Sequence, residues 1–199
     1  CFNAVFAWMP LAAVVSGKIF CVHGGLGLTI DSLEQVAAIQ RPIQKADGPL
    51  LMDLLWSDPA AHDSIAGITL NVQRLGIDNT PDRPPEPGEC VTFDAERVDD
   101  FCRRNAIHLI VRAHECVMDG FERFASGRLV TVFSASRYCN TYENAGAILV
   151  VDRSLTVIPK LLKPSAATHY GWHDNYDMRP PTPPRNSRGA QHGADGLSA

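Results

Sequence analysis

The chain has 199 residues, enough for a domain with a sizeable core, and 45% of them are hydrophobic, as in ordinary globular proteins. Its 18 basic and 22 acidic residues leave a formal charge of −4, which offers no electrostatic footing for nucleic acid. Charges and glycines interrupt every apolar run before membrane-spanning length, so neither nucleic acid nor a membrane is expected as a partner.

Phe2, Val5, Phe6, Met9, Ala12 and Ala13 recur at three- and four-residue steps, which predicts a helix from about Phe2 to Val15 with Ser16-Gly17 as its stop. The chain starts at Cys1 inside that pattern, and is expected to be a piece of a longer protein. Lys18 to Val22 is an apolar run of strand length that ends in His23-Gly24-Gly25. Asp31 or Ser32 caps a predicted helix through Ile39, which Arg41-Pro42 ends. Leu50 to Leu55 is a short apolar run leading into Trp56-Ser57-Asp58-Pro59, a turn by composition. Ala60 to Glu89 is poor in regular signals, and four prolines between Asn79 and Gly88 mark an exposed loop. Cys90 to Phe93 reads as a short strand. Asp94 to Asn105 reads as an amphipathic helix with Val98, Phe101 and Cys102 inward and Asp94 as cap. Ile107 to Val111 is a buried strand followed at once by Arg112-Ala113-His114. Strands are then predicted at Arg128 to Phe133, Gly146 to Val151 and Leu155 to Leu162, the last two joined through Asp152-Arg153-Ser154. The first domain ends at residue 164. Residues 165–199 turn to Pro, Gly, Ser, Asn, Arg and His and are expected to form a disordered tail. Helices alternating with strands, followed by strands alone, predict an α/β fold with a mostly antiparallel end.

Six cysteines occur, at 1, 21, 90, 102, 116 and 139, with no C-x-x-C pair. In a chain of this size they read as reduced, buried thiols rather than a disulfide framework, which points to a reducing compartment.

His23 and His114 share one placement, just past the end of an apolar strand, where ligands collect in sheet-based α/β proteins. Two neutral imidazoles there are good donors to a divalent transition metal. Glycines after His23 allow close backbone approach or positive φ beside an ion. On position alone, a lone histidine at a strand end is more often a hydrogen-bonded structural residue than a ligand, and two ligands fall short of the usual three or four. Cysteine-phosphatase (C-x5-R), H-E-x-x-H, Walker and G-x-S-x-G motifs are all absent.

FCVHGGLG (Phe20 to Gly27), LLWSDP (Leu54 to Pro59), RAHECVMDGFERFASGRLVTVFSASRYC (Arg112 to Cys139) and ENAGAILVV (Glu143 to Val151) resemble the phosphoprotein phosphatase family of serine/threonine phosphatases. The likeness runs from Cys1 to Pro164 and is greatest to phosphatases with N-terminal Kelch repeats, the plant brassinosteroid-signalling type and its protozoan relatives. It implies the second half of a metallophosphoesterase (calcineurin-like) β-sandwich flanked by helices. It also implies two divalent metal ions, manganese first with iron or zinc as alternatives, and hydrolysis of phosphoserine and phosphothreonine by a metal-activated water. Phosphoproteins are the implied partners, with regulatory proteins reached through upstream Kelch repeats; the expected location is the cytoplasm, with the nucleus as an alternative.

Carried over residue by residue, His23 and His114 would bind one metal. Arg74 would grip phosphate, with Arg83 as the alternative. Tyr138 would overhang the site and contact phosphate, and Asp58 would support the site through hydrogen bonds. Arg137 stands where the family usually has asparagine. The family's GDxHG, GDxVDRG and GNHE motifs are absent from this sequence, and with them the remaining ligands, a second phosphate arginine and the catalytic histidine. The isolated chain is therefore expected to be inactive. A nucleotide or phosphodiester substrate, or a non-catalytic phosphatase fragment, are the alternative readings.

Overall fold

The computed structural model describes residues 2–45, 47–77 and 83–163. The expected tail at 165–199 lies outside them, as does Cys1.

The first departure from expectation is at the start. Helix α1 covers only Phe2–Phe6, and Ala12–Val15 is strand β1, paired antiparallel with β2 (Ile19–Val22). Pro10 explains the break, since proline has no N–H to donate and clashes with the preceding turn. The β-branched pair Val14-Val15 then favours an extended chain. Ser16 and Gly17, read as a helix stop, make the hairpin turn. Both have positive φ (50° and 65°), and the Lys18 N–H donates to the Val15 carbonyl at 2.9 Å, the pattern of a type I′ turn.

The main sheet has five strands in the order β1-β2-β6-β8-β7, with β6 at Leu109–Arg112, β7 at Phe121–Phe124 and β8 at Leu129–Val132. The three central strands run parallel and the two edges antiparallel. β2 and β6 are near-continuous apolar runs, as central parallel strands must be. β7 was not foreseen. Glu122 and Arg123 break its apolar run, which an edge strand tolerates.

A three-stranded sheet joins β3 (Asp58–Pro59), β5 (Val91–Phe93) and β4 (Thr69–Leu70). The WSDP segment is thus no free turn, because Asp58 and Pro59 pair in parallel with Thr92 and Phe93. β9 (Gly146–Val151) and β10 (Val157–Leu162) form an antiparallel hairpin, which fits the expected antiparallel end.

Helix α2 is Leu33–Ala37, shorter than expected, and Ser32 rather than Asp31 caps it in a capping box with Gln35. Helix α3 is Pro49–Trp56, α4 is the short Val72–Leu75, and α5 is Ala95–Arg104 with Asp94 as cap. Val98, Phe101 and Cys102 of α5 pack on the sheet as expected, the Phe101 ring 5.3 Å from that of Phe20. Leu26, Ile30, Leu54, Phe93, Ile110 and Leu129 complete the same core. Of the described cysteines, Cys90, Cys102 and Cys116 are buried thiols and Cys21 is half-buried; Cys139 departs from expectation and is exposed. No helix among the described residues is long and apolar enough to cross a membrane.

Candidate metal and phosphate site

β2 and β6 are parallel neighbours, in register at Ile19–Leu109 and Cys21–Val111, so their carboxyl ends lie side by side. His23 follows one and His114 the other, and the His114 Nδ1 and His23 Nε2 atoms are 3.0 Å apart. Two loop contacts fix that approach. The Ala113 N–H donates to the His23 carbonyl at 3.0 Å, and the Glu115 N–H donates to the Ala113 carbonyl at 2.8 Å. The second closes a three-residue turn centred on His114, whose φ is 70°. That conformation is rare and strained for a residue with a side chain.

The glycines after His23 do something other than clear space for an ion. The Gly24 and Gly25 N–H groups donate to the carbonyls of Leu54 and Asp53 on α3, at 2.7 and 3.3 Å. A Cβ on Gly24 would stand 2.7 Å from the Leu55 carbonyl carbon, and one on Gly25 2.4 Å from the Phe93 ring. The histidine loop is pressed against the carboxyl end of α3, and only glycine fits.

Burial, with Arg112 beside it, pushes the His23 pKa below its ordinary value. His114 is 9% exposed, and burial pushes its pKa down to about 3 against the pull of Asp58. Both rings are therefore neutral at working pH, with lone pairs to give. A separation of 3.0 Å suits two adjacent nitrogens on one cation, since metal–nitrogen bonds are about 2.1 Å. With His114 Nδ1 as donor, the ring proton sits on Nε2, which is buried, unpartnered and 3.9 Å from Asp58 Oδ1. The pair fits a divalent ion as two of its ligands. Among the described residues there is no cluster of three or more His, Cys, Asp and Glu suited to a metal.

Asp58 is buried between two guanidiniums: Arg112 Nη2 is 2.7 Å from Oδ1 and Arg74 Nε 3.0 Å from Oδ2. Asn71 Nδ2 also donates to Oδ2, at 2.9 Å. Burial works to raise the Asp58 carboxyl, but Arg112 and Arg74 outweigh it and hold the group below the usual carboxylate range. Arg74 lies on α4, whose cap is Asn71, and its side chain is 18% exposed. Asp58 takes its Nε, so the two terminal nitrogens are left for a ligand. Arg83 is elsewhere, forming an exposed pair with Glu89 at 2.6 Å.

Tyr138 begins a short 3-10 turn. Its ring meets Phe133 edge-on at 4.9 Å, and its N–H donates to Asn144 Oδ1 at 2.9 Å. The structure therefore brings His23, His114, Asp58 and Arg74 into one cluster, and holds Tyr138 in a separate loop organised by Asn144.

Two residues of this architecture were not singled out from sequence. Asn144, fully buried, donates to the carbonyls of Ala135 and Ala145 and accepts from Tyr138. Arg112, at the end of β6, is fully buried as well. It donates to the Gly24 carbonyl, to Glu115 Oε2 at 2.5 Å, to Thr131 Oγ1 at 3.4 Å, to the Ser57 carbonyl at 3.5 Å and to Asp58. A charged residue closing an apolar strand, with aspartate and glutamate in the loops nearby, was the available signal.

Comparison with known proteins agrees with this fold. The profile of the calcineurin-like phosphoesterases matches residues 1–118. The serine/threonine-protein phosphatase BSL2 of Arabidopsis thaliana is 52% identical over 163 residues, which is 81% of this chain and 15% of that protein. The chain thus spans a small part of that relative. A solved Saccharomyces cerevisiae serine/threonine phosphatase, described as similar to human phosphatase PP5, superposes with a TM-score of 0.65 at 26% identity, over 82% of this chain and 50% of that one.

Proposed function

From the premise that the chain belongs to the calcineurin-like phosphoesterase family, we propose that it supplies part of the catalytic site of a metal-dependent serine/threonine protein phosphatase. The observation that carries this reading is the 3.0 Å approach of two neutral imidazoles from adjacent parallel strand ends, beside an arginine aimed by a buried carboxylate. The likeness to plant and yeast serine/threonine phosphatases supports phosphoserine and phosphothreonine as substrates.

His23 Nε2 and His114 Nδ1 would hold one divalent ion, manganese first, with iron or zinc as alternatives. Bound there, the ion supplies Lewis acidity toward phosphoryl oxygens and activates water. Asp58 takes Arg74 Nε and so leaves the terminal pair to meet two phosphate oxygens as a fork, the geometry guanidinium does best. Tyr138 closes over the phosphate from its own loop. Two imidazoles without a carboxylate do not hold two dications, so the 199 residues alone would be inactive, and activity would need further ligands from outside them. Regulatory partners would reach it through Kelch repeats upstream.

The test pairs a phosphopeptide with a dinucleotide phosphodiester, using the complete protein that carries this chain. The phosphopeptide should be turned over in a manganese-dependent way, and Arg74→Ala should raise its KM about tenfold or more, as for the loss of a charge-assisted hydrogen bond of about 1.5–3 kcal/mol. Arg83→Ala should leave KM unchanged. Preference for the dinucleotide, or equal effects of the two arginines, would reject this assignment.

A further inference from the structure

The two histidines are held 3.0 Å apart on separate loops, and one of them sits in a strained turn. Strained backbone of this kind persists only where its surroundings over-determine it. The group that touches every loop involved is Arg112. Its Nε holds the carbonyl of Gly24, next to His23. Nη1 holds the carboxylate of Glu115, next to His114, and so clasps the far side of the strained turn. Nη2 holds Asp58 and the carbonyl of Ser57, in the segment that aims Arg74. With Thr131, five N–H groups meet five acceptors on four segments of chain.

We propose that Arg112 is the positioning residue of this site: it sets the spacing of the His23 and His114 nitrogens, and through them the affinity and coordination geometry of the metal, without touching the metal itself. This deepens the reading above and rests on it. A lysine in its place would keep the charge but offer three donors on one atom, too few and too clustered to reach the three loops.

The test is a titration of the complete protein that carries this chain with Co²⁺, read by visible absorption, with His23→Asn/His114→Asn as blank. Arg112→Lys should weaken Co²⁺ binding at least tenfold, in the range seen when a partner of a metal ligand is lost, and should shift the position or intensity of the Co²⁺ band at saturation. Glu115→Gln removes one anchor and should act in the same direction to a smaller extent; it carries the test if the lysine variant does not fold. Arg97→Lys is the control for a purely structural loss. Arg97 also grips several carbonyls, those of Gly27, Leu28 and Ile30, but holds no residue next to His23 or His114. It should lower the melting temperature and leave Co²⁺ affinity and spectrum as in wild type. Wild-type Co²⁺ affinity and spectrum in Arg112→Lys and Glu115→Gln, or an equal effect of Arg97→Lys, would overturn the proposal while leaving the metal site standing. If the wild-type protein bound Co²⁺ no better than the double-histidine blank, the metal site and the brace would both be rejected.

Discussion

The cluster around Arg112 and the β9–β10 hairpin obey opposite rules. In the cluster, charged groups are buried and each finds partners at 2.5–3.0 Å. In the hairpin, apolar groups stand in water: Ile148, Val150, Ile158 and Leu161 are 40–51% exposed. The face that carries Leu149, Val157, Pro159 and, at its far end, Leu161 lines a cavity of about 310 Å³ against Leu109, Phe121 and Val130 of the main sheet. The contrast teaches that side-chain polarity is a poor guide to how tightly a region is specified. The cluster is specified by geometry that only particular side chains satisfy, whereas the hairpin rests on backbone register and tolerates change.

The sharpest way to break that contrast is Arg112→Met, which takes a shared cation away from the buried Asp58 and Glu115. It should cost about 3–5 kcal/mol, read from urea unfolding, and a loss under about 1 kcal/mol would contradict the account. Gly24→Ala comes next. Its Cβ would meet α3 backbone that cannot swing aside, with an overpacking cost of about 1–3 kcal/mol. Asn144→Ala removes both donors and the acceptor that shape the Tyr138 loop, and a similar loss of about 1–3 kcal/mol is expected. Asp53 adds a smaller effect that depends on pH. Burial raises its carboxyl above the ordinary 3.8, against the hydrogen bonds from Thr29. A raised acid stabilises the fold fully below its unfolded value, and that contribution is lost as pH rises through the folded one. Asp53→Asn should therefore improve relative to wild type as pH rises from about 4 to 7, compared by urea midpoints. On the hairpin, Ile158→Thr should change stability by no more than about 0.5 kcal/mol.

What the sequence made legible follows the same line. β2, β6 and α5 announce themselves because their apolar pattern is their own and their caps are local. His23 and His114 could be placed at strand ends for that reason, and the resemblance then gave them a shared role. The N-terminal segment misled because a three-and-four spacing of apolar residues drew attention from Pro10 and from the edge of a sheet formed later in the chain. WSDP looked like a turn because its partner strand lies more than 30 residues on, at Val91–Phe93. Arg112 was passed over because a buried cation is recognisable only by its acceptors, and those come from Gly24, Ser57, Asp58, Glu115 and Thr131, which no spacing rule connects.

Trp56 caps this arrangement in a way that can be used. Its indole meets the His114 ring edge-on at 5.5 Å while remaining 44% exposed. A fluorophore so placed is a built-in gauge of whether the imidazole beside it is occupied, since a paramagnetic ion at that distance quenches emission. Of the three tryptophans in the chain, Trp8 and Trp172 could be replaced by phenylalanine, so that light from a single indole follows each binding event without any added label.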